Sequence, residues 1–150
     1  MTTIDWDEMA WRNPPPAHRR VGPAMEVTTG PETDFWQKTA YGFIHDNGHF
    51  LGAPLSSEQS IEVTFRGDFS QPFDQAGLML WVRPDTWIKT GVELSDGVLF
   101  ASAVVTRGHS DWSVAALPDL APDTPITIGA SRSGDAVTIR YGIDGAPSMP

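Results

Sequence analysis

The alternation of apolar and polar residues along the chain is clearest from Ala76 to Ala116, where it predicts consecutive β-strands. We expect three strands in this meander, with turns at Pro84-Asp85, at Asp96-Gly97 and over Gly108–Asp111. An Asp-Gly pair favours a two-residue hairpin turn, because both of its positions then take positive φ angles. The Asp96-Gly97 turn therefore sets the register of the hairpin that surrounds it.

That register sorts the side chains of the hairpin into two faces, because successive residues of a strand point to opposite sides. Ser95 pairs with Val98, and the remaining pairs follow by counting outward along both strands. One face is apolar and is predicted to be core; it carries Ile88, Thr90, Val92, Leu94, Leu99, Ala101, Ala103 and Val105. The other face is mixed and is predicted to hold a polar ligand; it carries Trp87, Lys89, Gly91, Glu93, Phe100, Ser102, Val104 and Thr106.

The rest of the chain leaves few windows of helical length between its 13 prolines and 14 glycines. Strands are expected over Ala24–Thr28, within Gln59–Phe69, over Ile126–Ser131 and over Ala136–Ile143. A second hairpin is predicted at Asn47-Gly48, which would pair Asp46 with His49 and His45 with Phe50.

Many short strands at even spacing predict an all-β fold, an antiparallel sandwich that forms a single domain over residues 1–150. Residues 1–23 are expected to be an N-terminal segment packed on it, with one short turn over residues 5–11 and an extended connector over residues 13–20. Asp144-Gly145 signals one more hairpin shortly before Pro150. Either residues 146–150 close that sheet edge or a C-terminal piece is lacking.

Composition narrows the range of partners. The formal net charge is −9 and only two residues are lysine, so nucleic acid and anionic membranes are unfavourable partners. The absence of cysteine and an acidic N-terminus without an apolar run predict a cytoplasmic protein. No segment approaches the roughly 20 apolar residues that span a bilayer.

Several motifs together resemble the regulation-of-enolase-like family over residues 11–150. They are W-x-N-x-P at Trp11, Asn13 and Pro15, the run TDFWQKTAYGFIHDNGHFLG, and AGLML, WIKTGVE, VVTRG and SDWSV in the meander. The resemblance implies a concanavalin A-like (lectin/glucanase) jelly-roll sandwich of two antiparallel sheets, with the ligand on the curved inner sheet. The resemblance does not imply a particular reaction, because most members of the family have no assigned activity. Family members run on through further strands after the position of Pro150, which implies that C-terminal strands are lacking here.

Lys89 and Glu93 are the charged residues of the polar hairpin face, separated by roughly 13–14 Å along one strand. Gly91 lies between them and favours a binding site, because a glycine inside a strand lets another group approach the backbone closely. Trp87 and Ser102 share this face, although an isolated Trp at that position also suits the rim of a turn. The alternative for the whole face is a solvated surface with scattered charges.

The side of the sheet on which Trp81 lies depends on the length of the turn that follows it. A four-residue loop over Arg83–Thr86 would pair Val82 with Trp87 and direct Trp81 into the core, whereas a three-residue loop would place it on the polar side beside Lys89. We favour the polar side.

His45 and His49 have the H-x3-H spacing of many zinc-binding pairs. The predicted Asn47-Gly48 hairpin sends the two imidazoles to opposite faces, and no cysteine or third ligand accompanies them, so we expect no metal site. His45, beside Tyr41 and Phe43, is instead expected to line the binding groove; the alternative is a half-buried hairpin histidine.

These observations favour a domain that binds a carbohydrate-like or other small polar ligand without a cofactor. Lys89 and Glu93 would bind hydroxyl groups, and Trp87 and Trp81 would stack on a ring. One alternative is a sugar hydrolase or isomerase with Glu93 as acid or base, although the E-x-D-x-x-E, G-x-S-x-G, P-loop and dinucleotide patterns are absent. Another is a protein-interaction domain that modulates a metabolic enzyme.

Overall fold

The computed structural model describes residues 2–145, where regular structure consists of β-strands and a single 3₁₀ turn. All strand pairs in this range are antiparallel, which confirms the all-β prediction. The chain divides into two compact units, Met1–Leu55 and Ser56–Pro150. The sandwich of one domain over residues 1–150 stays a prediction, and the expected closing of a sheet edge by residues 146–150 lies outside the described residues.

The first unit consists of short strands connected by long loops. Its elements are the 3₁₀ turn Trp6–Glu8 and the strands β1 (Ala10–Arg12), β2 (Ala17–Val21), β3 (Ala24–Thr28), β4 (Phe35–Gln37), β5 (Ile44–Asp46) and β6 (Phe50–Gly52). They pair two by two, β1 with β6, β2 with β3, and β4 with β5. The predicted turn within residues 5–11 and the predicted strand β3 are confirmed, but the connector expected over residues 13–20 contains strand β2.

The second unit consists of two larger sheets. Its strands are β7 (Ser60–Phe65), β8 (Gln75–Arg83), β9 (Thr86–Ser95), β10 (Val98–Arg107), β11 (Ser110–Ala116), β12 (Ile126–Ser133) and β13 (Ala136–Ile143). One sheet has the order β11-β10-β9-β8 and the other the order β13-β12-β7. The expectation of three strands in the meander is wrong, since the turn after β10 is short and leads directly into the fourth strand, β11.

The predicted register of the β9–β10 hairpin is confirmed along its whole length, from Ser95 opposite Val98 to Trp87 opposite Thr106. Asp96 and Gly97 have φ angles of 51° and 75°, as a two-residue turn of this kind requires.

The core of the second unit receives residues from both of its sheets. Val92 of β9 and Ile126 and Ile128 of β12 are buried in one cluster with Leu117. Leu78, Leu99, Ala101, Val63, Phe65 and Tyr141 are among the partly buried residues around it. The apolar hairpin face is therefore core around Val92, as predicted, whereas Val105 near the far end of that face is 44% exposed.

The hairpin predicted at Asn47-Gly48 is wrong. His45 lies opposite Trp36 on β4, and Phe50 lies opposite Arg12 on β1, so the strands on either side of Asn47 do not pair with each other. Neither Asn47 nor Gly48 has a positive φ angle, which a two-residue hairpin turn of the Asn-Gly type needs. Their backbone N–H groups both donate to the carbonyl oxygen of Asp34, at 3.1 and 2.9 Å, and this contact directs the chain away from a hairpin.

Candidate functional site

The predicted polar face exists as one side of the four-stranded sheet. Trp87, Lys89, Glu93 and Ser102 share it, as the observed register requires. Trp81 lies opposite Trp87, which places it on this side too, as favoured from the sequence. A bulge between Trp81 and Arg83 produces that register and leaves Val82 without a partner residue in the ladder.

Much of this face is buried. Trp87 is 2% exposed, and its indole N–H donates to the carbonyl oxygen of Pro84 at 3.2 Å. Glu93 is 6% exposed, and Ser102 accepts a hydrogen bond of 3.3 Å from the indole N–H of Trp112. The ring of Trp87 is therefore covered in this structure and the Ser102 hydroxyl already has a protein partner. The role of these residues in ligand binding stays a prediction.

The surroundings of Glu93 do not supply a second carboxylate from a neighbouring strand. Its cross-strand neighbours are Gln75 and Phe100. Glu62, a candidate to approach it from elsewhere, lies on the exposed side of β7 opposite Gly129 in the other sheet. A retaining glycosidase places two carboxyl groups about 5 Å apart, and neither strand beside Glu93 provides the second one.

Gly91, which favoured a ligand between Lys89 and Glu93, is explained by strand packing. A Cβ atom at Gly91 would lie 2.0 Å from the carbonyl oxygen of Ala76. A Cβ atom at its partner Gly77 would lie 2.0 Å from the carbonyl oxygen of Thr90. The group that approaches the backbone here is strand β8 itself, so this glycine pair is needed for the close contact of two strands.

An exposed group of aromatic rings lies in the first unit, at the end of the β4–β5 pair. Tyr41 and Phe43 stack with ring centroids 5.1 Å apart and planes 7° apart, and His45 meets Phe43 edge-on at 4.7 Å. Tyr41 is 60% exposed, Ile44 is 55% exposed and Phe43 is 45% exposed. We call Tyr41, Phe43 and His45 the aromatic ledge.

The loop between β4 and β5 holds the ledge in place. Lys38 N–H donates to the Phe43 carbonyl at 2.8 Å, and Gly42 N–H donates to the Lys38 carbonyl at 2.7 Å. Lys38 and Ala40 have positive φ angles of 61° and 63°, a strained conformation for residues with a side chain. The buried Trp36 donates its indole N–H to the Thr39 carbonyl at 3.0 Å. The loop is therefore held by hydrogen bonds within its own backbone and by the indole of the buried Trp36.

His49 has a structural role. Its Nε2 accepts a hydrogen bond of 2.9 Å from the Gly30 N–H, so its Nδ1 carries the proton and donates to the Asn13 carbonyl at 2.7 Å. Both ring nitrogens of His49 are therefore hydrogen-bonded within the protein. His45 lies on strand β5, opposite Trp36. In the described part of the chain no three His, Cys, Asp or Glu side chains cluster as metal ligands would.

Asn13 is the residue whose role the sequence did not reveal. Its side-chain amide donates to the carbonyl oxygens of Asp46 and Gly48, both at 2.9 Å, and its φ angle is 53°. Asn47 acts similarly, accepting from Asp34 N–H at 3.0 Å and donating to the Glu32 carbonyl at 3.1 Å. The signal was present as the asparagine of W-x-N-x-P, because asparagine tolerates the left-handed conformation.

The resolved electrostatic effects lie on exposed turns. Hydrogen bonds from the Arg83 guanidinium and the Thr86 hydroxyl lower the pKa of the Asp85 carboxyl below its usual range. The backbone N–H of Asp7, followed by the charge of Arg20, lowers the pKa of Asp5.

Among residues 2–145 no helix is long and apolar enough to cross a membrane.

Comparison with known proteins identifies a family and two curated relatives. Residues 11–149 match the family described as "Protein of unknown function (DUF1349)". "Regulation of enolase protein 1" from Saccharomyces cerevisiae is 40% identical over 105 residues, which are 70% of this chain and 53% of that protein. An uncharacterized protein from Emericella nidulans is 29% identical over 130 residues, 83% of this chain and 64% of its own length.

A solved structure extends the similarity to the fold. The crystal structure of a functionally unknown protein from Saccharomyces cerevisiae has a TM-score of 0.90 at 31% identity, covering 97% of this chain and 78% of that one. The two curated relatives are aligned over only 53% and 64% of their lengths, so this chain spans part of each. These matches confirm the resemblance that the sequence motifs indicated.

Proposed function

This chain belongs to the DUF1349 family of proteins of unknown function, and from this premise we propose that it is a regulatory domain that binds a metabolic enzyme. The observation that carries the proposal is the aromatic ledge. Exposed Tyr and Phe side chains held in a fixed conformation are typical of the centre of a protein interface, because they bury a large area at little entropic cost. The ledge combines that composition with a hydrogen-bonded loop.

The partner that we propose is enolase. The yeast relative at 40% identity is named for the regulation of enolase, and this chain spans 53% of that protein. A domain that regulates an enzyme by contact needs a rigid surface and no reacting groups of its own. Tyr41 and Phe43 supply such a surface, because they are exposed while the hydrogen-bonded loop between β4 and β5 fixes their backbone.

For the scaffold we propose the finer architecture that the resemblance implies, a concanavalin A-like jelly-roll sandwich. The support is that the core cluster of the second unit contains residues of both its sheets, Val92 from one and Ile126 and Ile128 from the other. In this fold class binding surfaces lie on sheets and on the loops beside them, which is compatible with an interaction role.

A second candidate function is the binding of a carbohydrate-like or other small polar ligand on the same ledge. The observation that favours it is the open ring of Tyr41, since an exposed aromatic face can stack on the C–H face of a sugar. His45 would supply a hydrogen-bonding nitrogen at the edge of that surface. This alternative moves the site of ligand binding from the sheet face to the ledge.

The test is the affinity of the chain for enolase, measured by titration calorimetry with and without Tyr41→Ala and Phe43→Ala. Both residues are exposed, so each variant is expected to fold, and each should weaken binding about tenfold as an interface hot spot. Val27→Ala is the matched control, because Val27 is an exposed hydrophobic residue of the same unit outside the ledge.

Two results would contradict the proposal: no binding by the unchanged chain, or equal binding by the doubly substituted ledge variant. A glycan array probed with the unchanged chain and with Tyr41→Ala separates the second candidate. Sugar binding that Tyr41→Ala abolishes, together with no affinity for enolase, would replace the first candidate by the second.

A further inference from the structure

Strand β11 forms one edge of the four-stranded sheet. Among residues 2–145 only β10 pairs with it, and every residue after Ser110 in this seven-residue strand is exposed. An edge of this kind presents a row of backbone N–H and C=O groups that another strand can pair with. Proteins usually protect an exposed edge with features that prevent such pairing.

The other three sheet edges of the second unit carry such protective features in the described residues, and β11 does not. Edge strand β7 has Glu62 near its centre, edge strand β13 has Arg140, and edge strand β8 ends in the bulge between Trp81 and Arg83. Charges and bulges of this sort discourage pairing with another chain. The sequence of β11, SDWSVAA, has no Pro, Gly, Lys or Arg, and its single charge lies near one end.

We propose that β11 is the interface of a symmetric dimer in which two copies of this chain pair their β11 strands antiparallel. Ser113 is the central residue of β11, so a two-fold axis through it pairs all seven residues of the strand. Trp112 of each copy then lies opposite Val114 of the other. Trp112 is 38% exposed and Val114 is 43% exposed, and both point to the same face of the sheet. Such pairs of an aromatic and a β-branched residue stabilise antiparallel sheets.

The charges agree with this register. The only ionisable side chain in β11 is Asp111, and the two-fold axis places it opposite Ala115 of the other copy, so like charges do not meet. A register centred on Asp111 would oppose two carboxylates and pair fewer residues.

The dimer joins two four-stranded sheets into one sheet of eight strands, with the same strand on both sides of the interface, as a two-fold axis requires. Each copy carries a net charge of −9, which opposes association. We therefore expect a dimer that is tighter at 0.5 M than at 0.05 M salt, because the Debye screening length falls from about 14 Å to about 4 Å between them.

The experiment is sedimentation velocity over a series of protein concentrations, with two substitutions at Ala115 that test the register directly. Ala115 is exposed, so neither substitution is expected to disturb folding. Ala115→Glu places a carboxylate opposite Asp111 of the other copy, twice per dimer, and should raise the dimer dissociation constant about five-fold. Ala115→Lys places an ammonium there and should lower the constant by a similar factor.

Val98→Lys is the control, because it changes the net charge as Ala115→Lys does, and Val98 is exposed on β10, an inner strand, before the first residue that pairs with β11. It should change the dissociation constant much less than Ala115→Lys does. The proposal is overturned if the unchanged chain sediments as a monomer at every concentration. It is equally overturned if a dimer forms and the Glu and Lys substitutions at Ala115 do not shift its dissociation constant in opposite directions.

Discussion

In residues 56–145 strands run for up to ten residues and pair along long ladders, whereas in residues 2–55 no strand is longer than five residues. The first unit depends instead on individual polar side chains, since Asn13, Asn47 and His49 hydrogen-bond backbone groups of distant segments. A ladder repeats one interaction many times, so losing one side chain changes it little. A network of single side chains has no such repetition, and each member matters by itself.

The two regions also differ in what they can present to a partner. Both faces of the β9–β10 hairpin in the second unit are largely buried, including Val92 on one side and Trp87 on the other. The loop between β4 and β5 in the first unit leaves Tyr41 and Phe43 exposed while fixing their backbone. We therefore expect stability to depend mainly on the second unit and the proposed recognition of a partner mainly on the first.

The largest effect is expected from Val92→Asp in the second unit. Val92 is buried in the core cluster, and an unpaired carboxylate there costs several kcal/mol, enough to unfold the unit. Val105→Asp is the matched control, since Val105 is on the same face of the same hairpin but exposed. Circular dichroism and thermal melting should show loss of the fold only for Val92→Asp. Normal melting of that variant would contradict the assignment of the core face.

A somewhat smaller effect is expected from Gly91→Ala. The added Cβ would lie 2.0 Å from a backbone oxygen of β8, so the strands must separate, at a cost of about 3 kcal/mol. Gly129→Ala is the control in strand β12, because its nearest neighbour would be a side-chain atom 3.8 Å away. Urea unfolding measures both. A destabilisation of Gly91→Ala no larger than that of Gly129→Ala would show that β8 and β9 do not need the close contact.

These first two predictions concern the region that the sequence predicted well, and the reason is physical. The turn at Asp96-Gly97 and the alternation beside it act over neighbouring residues, and the resulting register extends over all ten pairs of β9 and β10. The Asn47-Gly48 pair is an equally short turn signal, but its conformation depends on residues more than ten positions away. The Asp34 carbonyl accepts from its backbone N–H groups, and the Glu32 carbonyl accepts from the Asn47 side chain. Contacts between distant segments leave no periodic pattern for the sequence to reveal.

The same reasoning applies to the candidate site. Lys89, Glu93, Trp87 and Ser102 were correctly placed on one face, because that follows from the register. The burial of that face was not predictable, because alternation tells which residues share a side and not what covers it. Gly91 was interpreted as space for a ligand, since its partner Gly77 becomes visible only when β8 is aligned beside β9.

In the first unit we expect a moderate, local effect from Asn13→Ala. The change removes two hydrogen bonds and leaves alanine at a φ of 53°, for a loss of about 2 kcal/mol. Hydrogen exchange should speed up in residues 30–49 and stay unchanged in β9 and β10. Asn13→Gly relieves the backbone strain but not the lost bonds, so it should have the smaller effect. Equally faster exchange in both units would contradict the contrast drawn between them.

The smallest effect is expected from pH. The Asp7 backbone N–H and then Arg20 lower the folded-state pKa of Asp5 below its unfolded value. The corresponding stabilisation is therefore present above the unfolded pKa and is lost as pH falls through the lower, folded pKa. Because the group is exposed, the change should be visible in the carboxyl NMR titration of Asp5 and barely in melting. A titration of Asp5 in the folded chain at or above its unfolded value would contradict this.

Hydroxyl-radical footprinting of the chain with and without enolase tests most directly whether the aromatic ledge is the contact surface. Tyr41 and Phe43 are exposed and reactive, and Phe73, 55% exposed in the other unit, serves as an internal reference. We expect enolase to lower the oxidation of Tyr41 and Phe43 and to leave that of Phe73 unchanged. Unaltered oxidation of both ledge residues at saturating enolase would contradict it.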